Sequence, residues 1–241
     1  DLSTLDLSDR GELVGQLTFD DRTVWPAADR LPDGWDRERA FELGLSPGLG
    51  IGALHQTGVT GRSVGIGIID APALMDHGEY AGRVRHYEEI GIRPYVAASM
   101  HGCAVASIAA GSTVGVAPEA DIYFIAVNFG RRDADGYHRG YYDMAAAIRR
   151  LLAINYTLSK RRQIRVISIS RGWNPGEPGA DDVERAISEA EASGVFVITT
   201  ALERTHDAKV NGLGRDPYTD PELPESYRPG NFWMHWVLTG E

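Results

Sequence analysis

Cysteine is almost absent from this sequence, since Cys103 is the single cysteine among 241 residues. A disulfide within the chain is therefore impossible, and a metal site built from several thiolates is excluded. Positive charge is scarce as well. The sequence has 24 Lys and Arg residues against 34 Asp and Glu residues, which gives a formal net charge of −10. Nucleic-acid binding takes its electrostatic affinity from clustered Lys and Arg, so this balance argues against a nucleic-acid partner.

Long hydrophobic runs are also missing. No apolar stretch approaches the roughly 20 residues that a membrane-spanning helix needs, so no membrane contact is expected. Residues Asp1–Thr4 lack the basic segment and the following apolar segment that mark a secretory signal peptide. The sequence predicts a soluble protein and favours an intracellular location, although these features do not specify the compartment.

What the chain does contain is a regular alternation of apolar segments and helix-forming segments, with 43% hydrophobic residues overall. Strands are predicted at residues 64–69, 122–127, 164–170 and 195–200, and helices at residues 101–110, 142–158 and 181–193. Continuous apolar strands separated by helices are typical of a parallel sheet that is buried on both sides. The sequence therefore predicts an α/β fold, a three-layer α/β/α domain with a mostly parallel sheet.

The two ends of the chain differ from this central pattern. Residues 1–45 mix acidic residues, prolines and tryptophans without sustained periodicity, and we interpret them as an N-terminal extension packed on the core. One helix is expected there, beginning near Asp36 and ending before Gly44. The main domain is assigned to residues 46–241, where the Gly and Pro residues after Thr205 predict a long loop.

Asp70 and His101 are the candidate catalytic residues. Asp70 closes the first apolar strand, and His101 opens a helix of small residues. A carboxylate that holds one ring nitrogen of a histidine fixes its tautomer, so that the other nitrogen takes a proton from a hydroxyl nucleophile. The local sequence also allows two structural roles, Asp70 capping a turn and His101 serving as a polar residue at a helix start. The catalytic interpretation requires the two side chains to touch.

Five segments carry a resemblance to a known family. They are Thr60–Asp70, His101–Gly111, Gly115–Ala120, Ile167–Gly172 and Ala192–Ile198. These segments resemble, in the same order, five parts of the subtilisin-like serine peptidases. The first three resemble the segment that leads to the catalytic Asp, the helix that carries the catalytic His, and the turn after that helix. The last two resemble the strand that lines the substrate cleft and the strand that leads to the oxyanion-hole Asn. The resemblance covers roughly residues 48–203 and implies a subtilisin-like fold and a serine endopeptidase.

The resemblance also implies roles for individual residues. Asp70 would orient the imidazole, and His101 would act as the general base. Ser170, Arg171 and Gly172 would bind an extended peptide or protein substrate, which adds its backbone as a further strand. In the alternative interpretation, that segment is simply part of a buried strand.

Two departures from the family pattern bear on activity. Glu203 stands where the family has the Asn that donates to the oxyanion, unless Asn211 or another donor compensates. A carboxylate there would repel the developing charge, and loss of such a donor costs about 2.7 to 4 kcal/mol of transition-state stabilisation. Cys103 replaces a family Thr, and it is either a reactive thiol beside the general base or a small residue that fills space.

The nucleophilic serine is not identified in this sequence. No serine lies in a setting that suits a nucleophile, and the resemblance places the family's Gly-Thr-Ser-x-Ala motif beyond residue 241. Three explanations compete: a downstream segment carries the serine, a second chain supplies it after cleavage, or the protein is a pseudopeptidase that binds an extended peptide without cutting it. The triad in this chain is therefore expected to be incomplete.

Two further ligands were considered. Many subtilisin-like enzymes bind calcium, and Asp216, Asp220 and Glu222 form a candidate cluster. A solvated acidic loop is the preferred explanation of these residues, so no metal site and no cofactor is assigned. Gly48–Gly52 resembles a dinucleotide-binding loop. No strand precedes it, and Asp70 is not followed by a glycine-rich turn, so a nucleotide-binding enzyme is disfavoured.

Overall fold

The computed structural model describes residues 1–17, 19–94, 96–128, 131–133, 136–138, 141–206, 213–215 and 218–229. The chain forms two compact units. One comprises His55–Val210, and the other comprises Asp1–Leu54 together with Asn211–Glu241. The predicted boundary between an extension at residues 1–45 and a domain at residues 46–241 stays a prediction. Among the described residues, no helix combines the length and the apolar character needed to cross a membrane.

Nine strands are present in the described ranges: β1 (Gly65–Asp70), β2 (Val84–Ile90), β3 (Asp121–Val127), β4 (Arg131–Asp133), β5 (Gly136–His138), β6 (Ile164–Ile169), β7 (Phe196–Thr199), β8 (Leu213–Arg215) and β9 (Tyr227–Pro229). Five of them form the central sheet in the order β2-β3-β1-β6-β7, and every neighbouring pair in it is parallel. The short pairs β4-β5 and β8-β9 are antiparallel. The predicted parallel sheet is confirmed.

The α-helices of the described ranges are α1 (Gly11–Gln16), α2 (Arg37–Leu45), α3 (Ile51–Gln56), α4 (Met100–Ala110), α5 (Tyr142–Thr157), α6 (Ala180–Ala192) and α7 (Leu202–Thr205). Single 3₁₀ turns occur at Ala28–Arg30, Ala81–Arg83 and Pro224–Ser226. Helices α4, α5 and α6 fall where the apolar periodicity predicts helices. Their bounds coincide with the predicted ones at two of the six ends and differ by one residue at the other four.

Helices cover both faces of the central sheet. Successive side chains of a strand point to opposite faces, so Ile68 and Ile69 of β1 belong to different apolar clusters. Ile69 packs with residues of α5 and α6, whereas Ile68 packs with Phe124 of β3 and Ala106 of α4. This arrangement is the predicted three-layer α/β/α architecture.

Several elements differ from the sequence prediction. The edge strand β2 was not predicted, because its sequence VRHYEEI is mostly polar or charged and none of its residues is fully buried. Helix α2 continues through Gly44 to Leu45, because one glycine costs a helix only about 1 kcal/mol. Asp36 caps that helix as expected, accepting a hydrogen bond from the backbone N–H of Arg39 at 2.9 Å.

Candidate active site

The candidate site lies at the carboxyl edge of the central sheet. Ile69 pairs with Ile169, and Ile169 pairs with Thr199, so the chains of β1, β6 and β7 leave the sheet at the same level. The residues that follow or close these strands are Asp70, Ser170 and Thr200. Open parallel sheets bind their ligands at this edge, where loops rather than ladder partners surround the strand ends.

Asp70 provides a buried carboxylate at the end of β1. Its side chain is 1% exposed. Oδ1 accepts hydrogen bonds from the backbone N–H of Ala71 and from Nδ1 of His101, both at 2.7 Å. Within the described residues, Oδ2 is buried and has no hydrogen-bond partner. Because a carboxylate only accepts, Nδ1 of His101 is the donor in this hydrogen bond, and in the neutral imidazole the lone pair then lies on Nε2.

His101 lies in the first turn of α4, and that turn is fixed by Ser99. The Ser99 hydroxyl caps the helix by accepting from the backbone N–H of His101 at 3.1 Å. The Ser99 backbone N–H donates to the carbonyl of Pro72 at 2.6 Å, which ties the helix start to the chain leaving β1. The imidazole is 57% exposed, so the edge that carries Nε2 is open to an incoming group.

Gly102 allows this close approach of helix and strand end. A Cβ added at Gly102 would collide with the carbonyl oxygen of Ala71 and lie 3.0 Å from that of Pro72. Any side chain at this position would push the start of α4 away from Asp70. The glycine therefore positions His101 although it contributes no functional group.

Cys103 lies behind the site and not beside the reactive nitrogen. Its half-buried Sγ accepts from the backbone N–H of Leu74 at 3.3 Å, and the side chain packs in the α4 face of the core. Burial raises the pKa of Tyr80 above its ordinary value, and contact with the Cys103 thiol raises it further. These contacts favour the interpretation of Cys103 as a space-filling residue.

The predicted substrate-binding segment follows β6 directly. The strand itself is interior, paired with β1 on one side and β7 on the other, so it offers no free edge. Only the residues after Ile169 lie beyond the last ladder pairs, and these are Ser170, Arg171 and Gly172. A Cβ added at Gly172 would lie 3.1 Å from Oγ1 of Thr200, so this segment runs beside the chain leaving β7.

Glu203 lies in the short helix α7 and is exposed. The chain turns into α7 directly after β7, where the Thr199 hydroxyl accepts from the backbone N–H of Ala201 at 3.0 Å. Thr200 and Ala201 border Gly172, and Glu203, two residues further along the chain, presents its carboxylate to solvent. Asn211, the alternative oxyanion donor, lies outside the described residues.

The chain matches a known protein family over most of its length. The sequence model of the subtilase family matches residues 61–229. The chain belongs to the subtilase family. The match includes both members of the Asp70–His101 pair, the segment after β6 and α7.

Individual relatives match different shares of this subtilase. Subtilisin-like protease PopC of Myxococcus xanthus is 34% identical over an alignment of 89 positions, and the match covers 32% of this chain and 19% of PopC. A lanthipeptide protease structure has a TM-score of 0.48 at 18% identity and covers 73% of this chain and 52% of its own. The structure of the nisin leader peptidase NisP from Lactococcus lactis has a TM-score of 0.46 at 18% identity. The match covers 61% of this chain and 46% of the NisP chain. The chain thus spans about half of these structures or less, and a much smaller share of PopC.

The predicted acidic cluster lies only partly within the described residues of this subtilase, because Asp216 is outside them. Asp220 Oδ1 accepts from the backbone N–H of Glu222 at 2.9 Å, and Glu222 Oε2 accepts from that of Gly50 at 2.7 Å. In the described part of the chain, no group of three or more His, Cys, Asp or Glu side chains is arranged to hold a metal ion. Calcium binding, which the family resemblance allows, is not assigned to any residues.

The glycine segment Gly48–Gly52 has a structural use. The backbone N–H of Leu49 donates to the carbonyl of Pro221 at 3.1 Å, and a Cβ at Gly48 would meet Pro221 and the hydroxyl of Tyr227. These glycines allow close backbone packing against residues 221–227 within the smaller unit. That role explains the motif without a nucleotide.

Sequence reasoning missed two residues that build the site. Ser99 was not selected, although a Ser directly before a helix of small residues is a recognised capping signal. Ala71 was not selected either, because its contribution is a backbone N–H that any residue except proline would supply. The first could have been found from the sequence, and the second could not.

Proposed function

We propose that this subtilase chain supplies the Asp and the His of a serine endopeptidase triad. The observation that carries the proposal is the hydrogen bond of 2.7 Å between Nδ1 of His101 and Oδ1 of Asp70. The buried acceptor and the exposed imidazole suit the two roles, because one group must stay fixed while the other meets substrate. The serine hydroxyl comes from outside these 241 residues.

In this mechanism the proton moves through His101. Nε2 takes the proton from the serine hydroxyl as its oxygen attacks the peptide carbonyl, and it later gives that proton to the leaving amine. Asp70 remains ionised and stabilises the imidazolium through the Nδ1–H bond. The low exposure of Asp70 strengthens this interaction, because little water screens it.

The segment Ser170–Gly172 is the proposed binding edge for an extended peptide substrate. Its backbone continues β6 past the sheet, beside the strand end that carries Asp70. Backbone hydrogen bonds to such a segment provide affinity for any extended peptide, while neighbouring side chains select among sequences.

The test is fluorophosphonate labelling of the full-length gene product. Wild-type protein is expected to label at an active serine, and His101→Ala is expected to slow labelling by about 10³-fold or more, because the serine loses its base. His86→Gln is the matched control, since His86 pairs with Glu88 on the edge strand β2 and not with Asp70. Labelling of His101→Ala at the wild-type rate would overturn the proposal.

A second candidate is a pseudopeptidase that holds an extended peptide without cutting it. The exposed carboxylate of Glu203 favours this candidate, because the family resemblance places it where the oxyanion needs a donor. It predicts that full-length protein does not label, and that peptide binding is the same in wild type and in His101→Ala. Fluorescence anisotropy with a labelled peptide library measures that binding.

A further inference from the structure

The smaller unit contains a cavity of about 300 Å³ that is separate from the chemistry above. Its apolar wall consists of Phe19, Trp25 and Phe41. Phe19 meets Trp25 edge to face with ring centroids 4.9 Å apart, and its ring lies 6.3 Å from that of Phe41. Trp25 is buried, while Phe19 and Phe41 are half-buried, so part of each ring faces the cavity. The volume lies at the lower end of the range for small-ligand sites.

The remaining lining of the cavity is predominantly acidic. Asp20, Asp21 and Glu38 contribute exposed carboxylates, and Arg37 contributes a guanidinium. That guanidinium is engaged by its neighbour, with Nε of Arg37 2.6 Å from Oε1 of Glu38. Two negative charges of the lining therefore remain uncompensated by other lining side chains. We call this cavity the acidic-aromatic pocket.

We propose that the acidic-aromatic pocket binds the guanidinium group of an arginine side chain within a peptide. The face of an aromatic ring attracts a cation, and guanidinium is planar and weakly hydrated, so it stacks on such faces more readily than ammonium does. Carboxylates beside the rings accept its N–H groups in charge-assisted hydrogen bonds. Arg37 and Glu38 already form one such pair at the rim.

A peptide is favoured over the free amino acid because of the charges at the rim. Free arginine has the same net charge as a peptide-bound arginine, but its α-ammonium and α-carboxylate are both strongly hydrated and would have to lie at the rim beside Asp20 and Asp21. An arginine within a peptide has no charge on its backbone and presents only the cation. The exposed position of the two aspartates leaves the peptide backbone in solvent while the side chain enters.

The experiment is calorimetric titration of the whole chain, at low salt, with the peptide Ac-Gly-Ala-Arg-Ala-Gly-amide. The matched control peptide carries citrulline in place of arginine, which keeps the shape and removes the charge. Saturable binding of the arginine peptide is expected, with the citrulline peptide and free L-arginine at least about 5-fold weaker. Equal binding of the citrulline peptide overturns the cation assignment, and equal binding of free L-arginine overturns the peptide assignment.

Two protein variants test the two parts of the pocket. Asp21→Asn is expected to weaken binding of the arginine peptide about 2- to 5-fold by removing a carboxylate. Phe41→Leu is expected to weaken it by a similar factor by removing an aromatic face while keeping apolar bulk. Asp9→Asn, an exposed carboxylate outside the pocket lining, is the control. Because Asp21 is exposed, Asp21→Asn keeps the test valid if Phe41→Leu unfolds. Unchanged binding by Asp21→Asn overturns the proposal.

Discussion

At the end of β1, the buried carboxylate of Asp70 receives a hydrogen bond from an imidazole, whereas beyond the end of β7 the carboxylate of Glu203 faces solvent. The first arrangement is the one that the proposed triad needs to move a proton. The second replaces an expected amide donor with a negative charge. In the proposed reaction, proton transfer and oxyanion stabilisation would therefore depend on different strand ends, and one could be lost without the other.

The largest effect is expected from a substitution that removes the Asp70 carboxylate. Asp70→Asn exchanges the acceptor for an amide and favours the wrong imidazole tautomer, so fluorophosphonate labelling of the full-length protein is expected to slow by about 10⁴-fold. Asp76→Asn is the control, because Asp76 is an exposed carboxylate shortly after the same strand. A decrease of less than about 10-fold in Asp70→Asn would remove Asp70 from the mechanism.

The next largest effect is expected from a substitution that restores an amide donor at position 203. Glu203→Asn replaces the carboxylate with an amide donor of the type the family uses, and labelling of the full-length protein is expected to accelerate by about 10²- to 10³-fold. Glu203→Gln separates the loss of charge from the position of the amide. Glu191→Gln, an exposed carboxylate on α6, is expected to change nothing. An unchanged rate in Glu203→Asn would mean that another group serves the oxyanion.

A smaller effect tests the packing that brings His101 to Asp70. Gly102→Ala drives a methyl group into the carbonyl of Ala71 and is expected to lower the free energy of unfolding by about 1 to 3 kcal/mol. Gly78→Ala is the matched control, because an added Cβ at Gly78 meets open space. Urea unfolding of both variants measures the difference. Equal stability would show that α4 has room to shift.

The N-cap contribution is expected to be smaller still. Ser99→Ala removes the hydroxyl that accepts from the backbone N–H of His101, and the free energy of unfolding is expected to fall by about 1 kcal/mol. Ser99→Asp keeps an acceptor at the cap and is expected to recover most of that stability. If Ser99→Asp is as unstable as Ser99→Ala, the cap is not the reason for the loss.

The smallest effect concerns a carboxylate outside the site. Burial alone would raise the pKa of Glu79, but hydrogen bonds from the backbone and hydroxyl of Thr113 and from the Ser112 hydroxyl outweigh it and lower that pKa below its ordinary value of 4.5. Because the folded-state pKa is the lower one, this contribution to stability is present above pH 4.5 and is lost as pH falls through the folded-state pKa. Urea unfolding of Glu79→Gln against pH should therefore approach wild type in acid. A constant difference at all pH values would contradict this assignment.

The positions of Asp70 and His101 were predictable because each stands at the boundary of a strong hydrophobic pattern. An apolar strand that ends in Asp and a helix of small residues that begins with His define their own bounds. The edge strand β2 was not predictable, because its charged and polar residues mask the apolar alternation that marks a strand. The four residues of α7 are too few to form a periodic signal.

Contacts between distant segments were the other limit of the sequence. The collision that excludes a side chain at Gly102 involves the carbonyl of Ala71, and no spacing in the sequence encodes it. The acidic-aromatic pocket brings Phe19, Trp25 and Phe41 together from a region without periodicity. Such sites depend on tertiary packing, which local patterns do not record.

Nitrogen-15 NMR of the histidine side chains tests the central claim most directly, because it reads the proton on His101 in the chain itself and needs no serine. The account predicts that neutral His101 carries its proton on Nδ1, and that this signature disappears in Asp70→Asn. A proton on Nε2 in the wild-type chain, or an Nδ1 signal that is the same in Asp70→Asn, would contradict it.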